Sequence, residues 1–408
     1  MLVKIRHPLV SNSFYLYIAH LFDYLFLILM FPFIARKLGP VELGNVALAQ
    51  TVGLFILIFM EFGFSLAATR EVAKNRNNKI HLNNFIGKAF TFKLTLIPII
   101  TVLSIFSISF FPIFKLRPHY IFIVLIGAIF QGLSPNWFFQ GIEKLKLVAL
   151  SKTIFRGIGF IFILLFTNNE EDGWIVLLVY TFTSIFIFIY LFKNLLKISG
   201  KIYFFKNYDL KSFWLQCRWL FLISIIPIIY QNFSAFMLSG LIEPIKLGFY
   251  FGASKIYLAL NSLYGPIGQA FYPRLIAAKK NNFRKSEKLA FKLFWILLCF
   301  GIVFCSLLFF FPQVFIIILL GEKYLGASAT LQLFGIVLPL TAISHVLGRQ
   351  WMIIKENEKE FSSIILFSFL ISILFFVFSV DFLSIKVVPI SLIIYEISVI
   401  CMILLRKK

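Results

Sequence analysis

Apolar residues run through this chain in long unbroken stretches, and polar residues gather in short links between them. The stretches lie near 13–35, 44–67, 86–111, 120–140, 149–167, 174–192, 214–239, 247–272, 289–311, 328–352, 361–380 and 385–405. At 1.5 Å per residue, about 20 helical residues cross a hydrocarbon core of about 30 Å. The stretches are of that order and lack the period-2 alternation of barrel strands. The pattern therefore predicts an all-α, polytopic membrane protein with twelve transmembrane helices. An even number places both termini on one side. The piece PQVFIIILLGEKYLG from Pro312 is too short to cross and is expected to lie at the outer interface.

Composition sharpens this picture. Of 408 residues, 60% are hydrophobic, and the mean hydropathy is +0.94, more apolar than a soluble fold can hide. A net charge of +22 in a soluble chain would point to nucleic acid, but here the basic residues follow the links. One alternate set of segments (Lys4 and Arg6, Arg70 to Lys93, Lys144 to Arg156, Lys193 to Arg218, Arg274 to Lys292, Arg349 to Lys359, Arg406 to Lys408) holds 31 of them. The other set holds seven: Arg36, Lys37, Lys115, Arg117, Lys246, Lys323 and Lys386. Basic links are retained in the cytoplasm, so the expected orientation is N-in and C-in, with no nucleic-acid partner. Lys4 and Arg6 precede an apolar run too long for a signal peptide, so it is expected to remain as the first span.

Catalytic signals are missing from the sequence. It holds no P-loop, HExxH or GxSxG, and Cys217, Cys299, Cys305 and Cys401 have no paired spacing. The expectation is a non-enzyme without cofactor or metal, acting inside the bilayer because no link is long enough for an extramembrane domain.

An internal repeat suggests two halves, 1–205 and 206–408, each a six-helix lobe. Sliding the chain by 204 residues superposes Pro40, Leu43 and Gly44 on Pro244, Leu247 and Gly248, then Arg70 on Arg274. In both copies the motif opens a span at the outer face and the arginine closes it at the inner face.

A charge at the centre of a membrane helix costs roughly 2.5–3.5 kcal/mol on insertion scales, so depth selects the candidates. Asp23, Lys255 and Glu396 fall nearest the midplane. In the functional reading Lys255 is a fixed cation for an anionic substrate in a cleft between the lobes, with Asp23 holding it or coupling to a proton; the alternative is a structural Asp23–Lys255 ion pair that only sets helix packing. Glu396 reads equally as a proton site and as a packing carboxylate. Arg70, Lys93, Arg156, Arg218 and Arg274 lie in the cytoplasmic ends or halves of their spans. As a set they would form a vestibule that gathers phosphates, and singly they would snorkel to head groups.

Several segments carry a resemblance. ARKLGPVELGNVALAQ from Ala35, GFSLAATREVAK from Gly63, PNWFFQGIEKLKLVALSKTIFR from Pro135, YFGASKIYLALNSLYGPIGQAFYPRL from Tyr250 and GEKYLGASATLQLFG from Gly321 resemble the Wzx-type O-antigen repeat-unit flippases. These form the polysaccharide transporter branch of the multidrug/oligosaccharidyl-lipid/polysaccharide exporter superfamily. One departure is Leu43, where a tyrosine is usual. The resemblance implies two six-helix lobes around a cationic cavity, alternating access, and an undecaprenyl-diphosphate-linked oligosaccharide as substrate in the bacterial inner membrane. Membrane lipids, a polysaccharide polymerase and a chain-length regulator are the partners it suggests. A cation-coupled multidrug exporter is the nearest competing reading, and a polymerase or ligase for lipid-linked sugars a more distant one.

Overall fold

The computed structural model describes residues 8–61, 64–76, 78–109, 111–200, 237–238, 241–264, 267, 271, 283–348 and 358–406. Side chains are described from residue 29 onward, except at 66, 67, 70, 107, 112, 283–286, 358, 359 and 362. The described residues are helical almost throughout and contain no strand. Eight segments among them are long and apolar enough to cross a membrane, making this a multi-pass membrane protein. One of the eight, Ser363–Leu405, holds two helices. Apart from residues 237–238, the expected span 214–239 lies outside the described residues, as does the expected domain boundary between 205 and 206.

The chain divides into two compact units, Met1–Leu38 with Asn45–Gly240, and Gly39–Gly44 with Leu241–Lys408. Helix α1 (Pro8–Glu61) runs through both and is broken at Gly39, where φ is 68° and ψ 173°. That left-handed backbone suits glycine, and Pro40 then opens the second half with its φ already set. The break separates the two spans that the hydrophobic pattern distinguishes.

In the first unit, α2 (Phe64–Lys74) leads to α3 (Lys79–Ser107), which starts where the Asn78 side chain accepts a hydrogen bond from the His81 amide at 3.0 Å. Then come α4 (Pro112–Leu116), α5 (His119–Leu133), α6 (Asn136–Gly141), α7 (Leu145–Phe166) and α8 (Gly173–Ser199). Helices pack through small residues, because lipid offers no hydrophobic drive between them. The Thr181 hydroxyl of α8 donates to the Ile123 carbonyl of α5 at 2.8 Å, directly beside Gly127. Leu165, Phe166, Phe106 and Val102 point outward and exposed, as side chains facing acyl chains do.

The second unit contains α9 (Pro244–Asn261), α10 (Phe283–Phe310), α11 (Pro312–Leu319), a 3-10 turn (Glu322–Ala327), α12 (Ser328–His345), α13 (Glu358–Leu383) and α14 (Val387–Leu405). The expected interfacial piece is α11 and its 3-10 turn. It packs on the N-terminal part of α9, with Gly326 against the Phe249 ring and Tyr324 beside Gly252. The repeated motifs also meet inside this unit. A methyl group on Gly44 would lie 2.6 Å from the Pro244 carbonyl oxygen, and one on Gly248 would overlap the Pro40 carbonyl. The two helix starts are thus in reciprocal backbone contact, and Leu43 and Leu247 are both buried beside it.

The links of the first unit sort by face. Arg76, after α2, pairs with Glu143, before α7, at 3.6 Å. The links before α5 and before α8 meet at a separate cavity lined by Arg117, His119, Asn169, Glu171, Asp172 and Trp174.

Candidate functional site

Arg156 sits on α7 eleven residues after Leu145, about 16 Å along the helix at 1.5 Å per residue. The sequence pattern placed it nearer the cytoplasmic end; the helix begins four residues earlier than the expected span, so the guanidinium lies at mid-helix. There it lies near Tyr180 of α8, which also neighbours Gln50 of α1. Arg156 is half-buried and Tyr180 is 40% exposed, so this trio is reachable and not sealed in the core. A guanidinium flanked by a phenol and an amide offers several donors to phosphate oxygens or sugar hydroxyls.

Lys93 has a different environment. It is buried on α3, and its ammonium donates to the Gly132 carbonyl and lies 5.2 Å over the Phe64 ring. The Asn136 amide turns to the Ser134 carbonyl at 2.9 Å, so it does not take Gly132 as a helical donor would. Lys93 supplies the missing donor at the end of α5, where the helix dipole also favours a cation. Around it, Phe64, Phe85 and Trp137 interlock, with the Phe64–Trp137 rings edge to face at 5.3 Å. Gly141 closes this knot against Val72 and the Thr69 carbonyl. The Trp137 to Gly141 segment is therefore a packing element that ties α2, α3 and α6 together. Lys93→Met is expected to lower the melting temperature of the purified protein by several degrees, through the roughly 1–3 kcal/mol of an unsatisfied buried carbonyl. An unchanged melting curve would remove the capping role.

In the second unit, Lys255 lies on α9 eleven residues after Pro244, again about 16 Å from the helix start. It is partly exposed and makes no hydrogen bond or ion pair with any described residue. Glu396 of α14 is buried, and one of its carboxylate oxygens accepts from the Thr341 hydroxyl of α12 at 3.0 Å. Tyr257 of α9 lies close to Thr341 as well. Tyr264 donates to the Leu338 carbonyl at 2.9 Å, beside the Pro339 interruption of α12. This cluster joins α9, α12 and α14 through polar contacts.

The side chains of Asp23 and Arg70, and the whole of Arg218 and Arg274, lie outside the described residues. Among the described candidates the structure does not bring Lys93 and Arg156 into one cluster. Sequence reasoning missed Tyr180 and Tyr257, since a tyrosine in an apolar helix carries no charge to flag its depth. That Gln50 lies near Tyr180, 130 positions away, leaves no local mark in the sequence either.

Comparison with known proteins completes the description. The family described as "Polysaccharide biosynthesis protein" matches residues 9–279, more than half of the chain. The chain belongs to that polysaccharide biosynthesis protein family. A candidate O-antigen transporter of Escherichia coli (strain K12) is 26% identical over 366 residues, covering 89% of this chain and 88% of the relative. A second, from Shigella dysenteriae, is 26% identical over 363 residues, 86% of this chain and 88% of that relative. Among solved structures, the lipid II flippase MurJ in an inward closed conformation aligns with a TM-score of 0.71 at 17% identity, covering 98% of this chain and 88% of that one. The eukaryotic MATE transporter AtDTX14 aligns with a TM-score of 0.58 at 14% identity, over 98% and 96% of the two chains. These two likenesses are of fold.

Proposed function

We propose that this chain is a flippase, not an enzyme, which moves an undecaprenyl-diphosphate-linked oligosaccharide from the cytoplasmic to the periplasmic leaflet of a bacterial inner membrane by alternating access. Its product would feed O-antigen or capsular polysaccharide synthesis. The observation that carries this reading is the match, over 89% of the chain, to a candidate O-antigen transporter within a polysaccharide family. The fold shared with a lipid II flippase supports it, because lipid II is itself a polyprenyl-linked saccharide.

The physical task agrees with the residues found. A polyprenyl tail is at home in lipid, whereas a diphosphate and its sugars cannot cross hydrocarbon unaided. The protein needs cations and hydrogen-bond donors at mid-membrane depth, and Lys255 and Arg156 with Tyr180 supply them. We assign diphosphate binding to Lys255 and Arg156 first, with Asp23, Arg70, Arg218 and Arg274 completing the set of polar side chains on the path. Lys93 belongs to that set through its position in the inner half of α3, although its ammonium is engaged with Gly132. Outward movement of negative charge runs with an inside-negative potential worth about 2.3 kcal/mol per charge per 100 mV.

The topology we infer is twelve spans, six in each half, with both termini in the cytoplasm. The pairing of Arg76 with Glu143 supports it, since both links are assigned to the cytoplasmic side. So does the shared cavity of the links before α5 and α8, both assigned to the periplasmic side. A polymerase and a chain-length regulator are the proteins expected to act on the delivered lipid. A multidrug exporter for cationic drugs calls for an acidic path, which Lys255 and Arg156 oppose.

Deleting the gene in its source bacterium tests the reading. Surface polysaccharide should be lost, and the lipid-linked oligosaccharide should accumulate in the cytoplasmic leaflet until the wild-type chain is returned on a plasmid. Unaltered polysaccharide, or oligosaccharide lipid that still reaches the periplasmic leaflet, would reject it.

A further inference from the structure

The cavity that joins the links before α5 and before α8 is lined almost wholly by charged and polar side chains. It measures about 650 Å³ and is lined by Arg117, His119, Asn169, Glu171, Asp172 and Trp174. That volume is within the roughly 300–1,000 Å³ of small-molecule sites.

Its walls are held in place by buried anchors. Arg117 donates to the Tyr120 hydroxyl at 3.2 Å and lies 5.8 Å from that ring, and His119 meets the same ring edge to face at 4.8 Å. Tyr120 is completely buried, so one fixed ring orients both cationic-type groups. On the opposite wall, one oxygen of Asp172 accepts from the Asn168 and Asn169 amides, each at 2.8 Å. This closes the turn that presents Asn169 and Glu171. The side chains of Asn169, Glu171 and Trp174 make no hydrogen bond to any described residue. Trp174, in the first turn of α8, is 42% exposed.

The chemistry of this set narrows the ligand. Glu171 and Asp172 repel a phosphate. Arg117 repels a metal ion, Asp172 already spends an oxygen on two amides, and no group of three metal-ligating side chains occurs among the described residues. One indole is too little apolar surface for a hydrophobic ligand. A neutral polyol fits: the sugar ring lays its C–H face on the indole while amide, carboxylate, guanidinium and imidazole exchange hydrogen bonds with its hydroxyls.

We propose that this cavity is a saccharide subsite on the periplasmic face, which holds the sugar head group once it has crossed and disfavours its return. The proposal rests on the flippase reading and its topology. It adds a saccharide contact distinct from the mid-membrane cations, one that recognises sugar without diphosphate.

The test uses the full-length protein in nanodiscs. The probe is the repeat-unit oligosaccharide released from the source strain's surface polysaccharide by mild acid, free of diphosphate and polyprenol, with binding read by saturation-transfer NMR and calorimetry. Wild-type protein should bind it saturably, Trp174→Ala and Glu171→Gln should each weaken binding tenfold or more, and Trp174→Phe should retain most of it. Trp174 is exposed, so its loss should leave the melting curve unchanged; if that variant fails to fold, Glu171→Gln decides. Absence of saturable binding to wild-type protein, or equal binding by wild type and both weakening variants, overturns the subsite. Plasmid complementation of the deletion strain with the wild-type gene reads the flippase function separately, so restored polysaccharide with no oligosaccharide binding defeats the subsite alone.

Discussion

Gly248→Val is expected to reduce the folded protein in the membrane to a small fraction of the wild-type amount, with loss of surface polysaccharide as a consequence. The contact that forces this is backbone on backbone. Any Cβ at position 248 overlaps the Pro40 carbonyl, and one at Gly44 comes within 2.6 Å of the Pro244 carbonyl oxygen. Neither oxygen can swing aside as a side chain would, so the two helix starts must separate and give up their close packing. Overpacking a well-filled site costs typically about 1–3 kcal/mol, and rigid backbone on both sides puts this site at the upper end. Gly252, one turn further along α9, supplies the control. A Cβ there meets Leu320 Cδ1 at 2.9 Å, the far end of a flexible side chain, and Gly252→Ala should accumulate near the wild-type level. Quantitative immunoblotting of membranes with size-exclusion profiles of both variants checks the pair. Equal, monodisperse yields from Gly248→Val and wild type would disprove the contact.

Lys255→Glu is expected to abolish surface polysaccharide while the protein remains in the membrane at its normal level. Lys255 is partly exposed, about 16 Å along α9, and has no hydrogen-bond or ion-pair partner among the described residues, so reversing its charge breaks no described polar contact. The change instead sets a carboxylate against the diphosphate assigned to pass it. Like charges brought together cost several kcal/mol, and each 1.4 kcal/mol is about tenfold, so transport should fall on the order of a hundredfold or more. Lys255→Arg should keep a measurable part of the activity, because the positive charge survives although the geometry changes. Lys246→Glu is the matching control: Lys246 is exposed and paired with Glu243 at 3.6 Å near the helix start, and its reversal should leave polysaccharide close to normal. Arg156→Glu should follow Lys255→Glu. Normal polysaccharide in the Lys255→Glu strain would take that lysine off the substrate path.

The depth of the charged residues was only partly legible in the sequence. Hydropathy placed Lys255 well inside its span, and in the structure it stands eleven residues after Pro244, which opens α9. For Arg156, the preceding Lys144, Lys146 and Lys152 look like a link, whereas α7 begins at Leu145 and already carries Lys146 and Lys152. Long basic side chains can lie along a helix and reach the interface, so charge does not end a membrane helix where hydropathy falls. Lys93 is legible only as a charge within α3; that its ammonium reaches the carbonyl of Gly132, 39 residues away, leaves no local mark in the sequence.

By itself the sequence determined that this is a multi-pass helical membrane protein and that Pro40 to Gly44 recurs at Pro244 to Gly248. Those properties follow from local quantities: apolar length against bilayer thickness, and the fixed φ of proline at a helix start. Tertiary structure alone decided that the two repeated motifs pack against each other. It also decided that Gln50, Arg156 and Tyr180 meet, that Lys93 is spent on a helix end, and that two short links enclose a polar cavity. Each of these depends on which faces of distant helices turn toward one another. Period and composition describe a helix's own faces, but the choice of neighbour is made by backbone approach at small residues and by hydrogen bonds between segments far apart in the chain.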